Sequence, residues 1–196
     1  MDFKTHFETA WKNTLNHIVP LVLMTLALMA AGFMTLGILA PVCMAGYMQS
    51  VILMLRENRP PHYKDIFTHL GLFLPLLGFG IGVTVVGMIG LALLVLPGIV
   101  FILAVGYCCL YMLPLMTDQQ LGLIEAIKKS FAMVTQGDIA ENIVVFVLFA
   151  AMVSIGGASM IGALLVQPFA TAFLGSVYLE RSSAMAIEPL SSDGQS

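Results

Sequence analysis

The chain has 196 residues, 59% of them apolar and 10% charged, with a formal net charge of −3 and a mean hydropathy of +0.98. A water-soluble domain of this length has too little interior to hide so much apolar surface, so the composition excludes a soluble globule and indicates an integral membrane protein. The eight Lys and Arg residues form no long basic run, which leaves no footprint for nucleic acid.

In chain order, the first segment places Phe3, Phe7, Ala10, Trp11, Leu15 and Ile18 at three- and four-residue spacing opposite Asp2, Lys4, Glu8 and Lys12. That pattern predicts an amphipathic helix lying at a membrane surface. The first apolar run begins near Ile18 and continues past Cys43, too long for the core of a cleaved leader, so the N-terminus is expected to be retained. Between Lys12 and Arg56 stand 43 residues without a charge, predicting helices over 16–35 and 38–55. Pro60-Pro61 then restarts the chain. Tyr63, Ile66, Phe67 and Leu70, opposite Lys64 and Asp65, predict a second interfacial helix.

A second charge-free stretch of 52 residues, from Asp65 to Asp118, predicts helices over 70–91 and 97–116. A third amphipathic helix follows on Leu121, Ile124, Ile127, Phe131 and Val134, with Asp118 placed to cap its start and Gly137 to end it. The last gap, 38 residues between Glu141 and Glu180, predicts helices over 141–158 and 162–180. The polar segment from Ser182 to Ser196 is expected to be a disordered cytoplasmic tail.

Each gap exceeds the roughly 20 residues needed to cross a hydrocarbon core of about 30 Å and fits two helices with a short turn. Backbone groups must be paired in lipid, so the expected fold is an all-α integral membrane protein: six transmembrane helices in three hairpins, each preceded by an interfacial amphipathic helix. Residues 1–181 form the single membrane domain. Every Lys and Arg (Lys4, Lys12, Arg56, Arg59, Lys64, Lys128, Lys129 and Arg181) then lies on one face, which the positive-inside bias makes the cytoplasm of an inner membrane, with both termini there. Hairpins that dip into the bilayer and return give the same charge map. The unit of amphipathic helix plus hairpin starts near residues 1, 61 and 121. Gly46-Tyr47 and Gly106-Tyr107 match at an offset of 60, while Pro41, Pro97 and Pro168 do not keep that register, so a threefold repeat and accidental periodicity both remain open.

Helix association in lipid relies on small residues, and Ala150/Ser154/Ala158, Gly78/Gly82 and Ala27/Ala31 supply such ladders, as internal seams or as a homodimer seam. No ionisable residue stands mid-span, where chemistry in a membrane normally shows itself. The mid-span polar residues are neutral: Thr25, Gln49, Ser50, Thr84, Ser154, Gln167, Thr171 and Ser176. No base is found beside the embedded serines, and His6, His17, His62 and His69 lie in the interfacial segments without metal-ligand spacing. Cys43, Cys108 and Cys109 sit in apolar stretches as small hydrophobes. No catalytic set, metal or cofactor is therefore expected. The expected role is non-enzymatic, in lipid association or as an assembly scaffold, with membrane lipids, a second copy or a protein as partner. The rival expectation is a small channel or transporter for an uncharged solute, lined by Gln49, Thr84, Gln167 and Thr171.

Trp11 with Asn13 and Asn16, the Pro41 to Gly46-Tyr47 helix, Asp65-Ile66-Phe67, Leu96-Pro97-Gly98-Ile99 and Glu125-Ala126-Ile127-Lys128-Lys129-Ser130 together resemble a six-helix prokaryotic membrane family of unknown function. That family is related to the membrane domain of glycerophosphodiester phosphodiesterases. The resemblance spans about residues 1–181. It implies a membrane module that associates with lipid or a partner. The phosphodiesterase chemistry of fused relatives belongs to a separate soluble barrel, so the resemblance implies no catalytic residue.

Overall fold

The computed structural model describes residues 3–93, 95–136, 138–157 and 159–192, and these are built from helices and turns. The first helix, α1 (Phe3–Asn16), stops where Pro20, lacking an N–H and crowding the carbonyl four residues back, cannot continue it. The chain resumes as α2 (Ile18–Met34), bent 87° from α1. Around α1, His6, Ala10 and Thr14 are buried against the protein, while Phe7, Trp11 and Leu15 form an exposed apolar stripe beside Lys4, Glu8 and Lys12. α1 is thus amphipathic, as its spacing predicts.

α2 leads through left-handed Leu36 (φ 51°) and Gly37 (φ 83°) into α3 (Ala40–Glu57), and Thr25 Oγ1 meets Tyr47 Oη across the pair at 3.1 Å. The second interfacial helix does not form as expected. Its place is taken by two 3-10 turns, Tyr63–Phe67 and Leu70–Leu72. Asp65 is the reason: its carboxylate accepts from the His62 N–H (3.3 Å), Ser50 Oγ (2.9 Å) and Arg59 Nη2 (3.0 Å), holding a tight turn too short to nucleate an α-helix. That turn lies flush on α3 because Gly46 has no side chain; a Cβ there would stand 2.4 Å from the Ile66 carbonyl oxygen.

Next come α4 (Phe73–Leu93) and α5 (Val95–Cys108), antiparallel and in near contact at Gly90 and Gly98, where a Cβ on Gly98 would stand 2.5 Å from Leu91 N. The expected helix over 97–116 is broken, with α6 (Met112–Asp118) following α5 after a turn. Pro114 crowds the Leu110 carbonyl, and the Ser130 hydroxyl fills the gap, accepting from Tyr111 N (3.1 Å) and donating to the Cys108 carbonyl (2.7 Å). Ser130 lies on α7 (Leu123–Gln136), which begins past Asp118, not at it, because Asp118 closes α6 and is engaged elsewhere; Gly137, the expected stop, lies outside the described residues.

The final pair is α8 (Ile139–Gly157) and α9 (Met160–Ser192), in contact at Gly156 and Gly162 near the turn and at Glu141 and Arg181 at the opposite end. α9 stays helical through Ser192, where a disordered segment is expected from Ser182; residues 193–196 lie outside the described residues.

Among the described residues four stretches are long and apolar enough to cross a membrane, Tyr63–Ala92, Val95–Asp118, Ile139–Gly157 and Gly162–Met185, and the bent pair α1 and α2 makes a fifth if the two are taken as one span. The chain is thus an all-α protein with the helices of a membrane protein. α2 on its own, with 17 residues, and α3, which carries Gln49, Arg56 and Glu57 in its 18, stand outside those four. The core runs along α3 and α9, with Tyr47, Met48, Val51, Ile52, Phe173, Val177 and Tyr178 buried between their neighbours. The Gly78/Gly82 ladder faces open space with nothing near a Cβ position, so the internal seam of this hairpin lies instead at Gly90 and Gly98. Ala158 of the α8 ladder is outside the described residues.

Candidate functional site: the polar layer at one end of the bundle

Residues separated by the long charge-free stretches meet in space. Arg56, at the end of α3, forks onto Asp118, at the end of α6, with both N···O distances 2.8 Å. The Asp118 side chain is only 5% exposed against 45% for Arg56, so the pair joins a buried carboxylate to a hydrated guanidinium. Hydrogen bonding to Asp118, ahead of the opposing effect of burial, pushes the Arg56 guanidinium above its usual range. Tyr178 of α9 donates to the same carboxylate at 3.0 Å. Gln119 Nε2 donates to Tyr178 Oη (3.2 Å) and Ser182 Oγ (3.1 Å), and its carbonyl oxygen accepts from Lys129 Nζ of α7 at 2.5 Å. Four helices are tied together by this chain of contacts.

Two more links extend the layer. His6 of α1, 7% exposed, contacts Ser176 Oγ through Nδ1 and the Glu180 carboxylate through Nε2, both on α9. Arg181 reaches Glu141 at the start of α8. Beside them, Asn142 accepts from Tyr111 Oη (3.3 Å) and donates to the Val134 carbonyl (3.1 Å), fixing the α7–α8 connection. The aromatic rings of Phe7 and Trp11 meet Phe169 edge to face at 4.8 and 5.9 Å, which fits an aromatic belt next to the charges.

His6, Ser176 and Glu180 bring together the residue types of an acyl-transfer triad, a juxtaposition across 170 positions that the residues around the embedded serine do not signal. Ser176 sits inside α9, where the neighbouring N–H groups are committed to the helix ladder. The trio acts as a clasp holding α1 on α9. The one available signal was the i, i+4, i+8 stripe of His6, Ala10 and Thr14 on α1. Among the described residues no group of three or more His, Cys, Asp or Glu side chains could hold a metal, and the three cysteines are free.

The four polar residues singled out as a solute path do not share hydrogen bonds between their side chains among the described residues. Gln49 has a buried carbonyl oxygen without a partner. Thr84 returns its hydroxyl to the Gly80 carbonyl (2.8 Å) and lines a groove with Gly37, Pro41 and Leu76 in which the other three take no part. Gln167 donates to Met44 Sδ (3.3 Å), and Thr171 to the Gln167 carbonyl (2.9 Å). Comparison with known proteins returned no matching family model, no matching curated protein and no matching solved structure.

Proposed function

We propose that the chain is a multi-pass inner-membrane protein crossing the bilayer six times in three hairpins, with both termini cytoplasmic, and that it acts without catalysis as a lipid-associated or assembly scaffold. The observation that supports this reading is the polar layer itself. Arg56, Asp118, Glu180 and Arg181 follow successive charge-free stretches, yet Arg56 bonds Asp118, and His6 and Glu141 pair with α9. Each apolar pair therefore leaves the layer and returns to it, as an even number of crossings requires. α2, at about 25 Å for 17 residues, needs a thinned core or its flanking residues to span. The likeness to the membrane module fused to phosphodiesterases rests on its short motifs and adds no residue role.

The test uses single cysteines at Leu36, Leu96 and Ser159, near the three uncharged turns, in a chain lacking Cys43, Cys108 and Cys109. In oriented vesicles, all three should react with an impermeant reagent from the face opposite Arg56. Protection at all three, with Arg59→Cys labelled from its own side, replaces crossing by re-entrant hairpins.

A further inference from the structure

We infer that the cleft between α4, α5 and α7 is a binding site for an anionic phospholipid, one acyl chain lying in the cleft and the phosphate meeting Lys128. The inference rests on the membrane reading above and names the lipid class. The cleft holds about 530 Å³, within the size range of ligand pockets, and is open along one side. Phe79, Gly82 and Val86 of α4 face Phe101 and Val105 of α5, and no side-chain nitrogen or oxygen lines it. Ile127 of α7, the helix joined to the polar layer through Lys129, lines it together with Cys108 and Cys109 at the close of α5. An apolar cleft that reaches a helix tied to the polar layer suits a molecule with an apolar chain and a polar head.

The charge next to Ile127 in the chain is Lys128. Ile124, Ile127, Lys128 and Phe131 stand at i, i+3, i+4 and i+7, so they share one face of α7. Ile124 and Phe131 on that face are exposed, as is Lys128, which forms no hydrogen bond or ion pair among the described residues. Glu125, three residues earlier, is exposed and makes no ion pair with it. Lys129, by contrast, is bound to Gln119. A cation set in an apolar, outward stripe, one residue from the cleft-lining Ile127, complements an anionic head group whose chain enters that cleft.

The experiment places a tryptophan reporter in the cleft as Val86→Trp, with Trp11→Phe removing the native one, and reconstitutes the full chain in phosphatidylcholine vesicles containing brominated lipid. Brominated phosphatidylglycerol should quench about fivefold more effectively per mole fraction than brominated phosphatidylcholine. Lys128→Gln should bring that ratio to about one. Gly82→Leu, which adds bulk where a Cβ meets nothing within 4 Å, should reduce quenching by both lipids. Equal quenching in the parent, or a preference that survives Lys128→Gln, overturns the site. Failure here leaves the cysteine labelling untouched, because Leu36, Leu96 and Ser159 do not line the cleft.

Discussion

The α3/α9 core and the α4–α5 hairpin belong to the same apolar chain but obey opposite rules. Along α3 and α9, protein covers most faces, and there the sequence places Tyr47, Ser50, Thr171, Ser176 and Tyr178, all buried. Along α4 and α5, Leu74, Ile81, Val85, Met88, Leu96, Val100 and Leu103 are exposed, and α4's Thr84 satisfies itself on its own helix. The polar groups are inside and the apolar groups outside, the reverse of a water-soluble bundle. In hydrocarbon, exposed apolar surface costs nothing, whereas a hydroxyl needs a partner that only another helix or its own backbone can offer.

Glycine gives the sharpest way to break that comparison. Gly46→Ala, in the core, drives a Cβ into the Ile66 carbonyl at 2.4 Å with no flexible side chain to yield. The expected loss is on the order of 3 kcal/mol, read from unfolding in mixed micelles followed by circular dichroism. Gly82→Ala on the hairpin meets nothing within 4 Å and should stay within about 0.5 kcal/mol of the parent. Similar losses at both positions would mean that the hairpin is covered by something other than lipid.

The polar layer comes next in size. Asp118→Asn removes the charge that Arg56 forks onto and Tyr178 donates to. Because Arg56 keeps much of its hydration, the expected cost is about 2 kcal/mol, below that of a fully buried pair. The same unfolding assay reads it, and no loss would show the layer to be ornamental to stability. His6→Ala releases α1 from Ser176 and Glu180 at about 1 kcal/mol. Trp11, the single tryptophan, leaves Phe169 as α1 loosens, so its emission should shift to the red. An unshifted spectrum would mean that the aromatic contact, not the clasp, holds α1 down.

What was legible in the sequence follows from the same physics. Charge-free runs are one-dimensional, so the approximate places of the helix pairs could be read directly, as could the amphipathic stripes of α1 and α7. The break at Asn16 falls where the expected span over 16–35 begins, whereas the break at Cys108, signalled by Pro114, was absorbed into the continuous helix expected over 97–116. The turn at Tyr63–Phe67 depends on Ser50 and Arg59 reaching Asp65, and the clasp on His6 finding a serine 170 positions away, information that no periodicity carries. Spacing found the glycines of α4 but not which face they present: Gly78 and Gly82 look outward, while Gly90 closes on Gly98.

The smallest expected effect tests the hairpin's indifference to polarity and the solute-path reading together. Thr84→Val keeps the shape and deletes a hydroxyl whose partner is the Gly80 carbonyl, already part of the helix ladder. Stability should change by less than about 0.5 kcal/mol, since the lost bond leaves no buried donor unpaired. A polar solute passing along the groove of Gly37, Pro41 and Thr84 would lose its one hydroxyl contact there, so flux of an uncharged solute into vesicles would fall while stability held. Unchanged flux at unchanged stability is the expected result, because a hydroxyl folded back on its own helix offers a passing solute little more than the valine that replaces it.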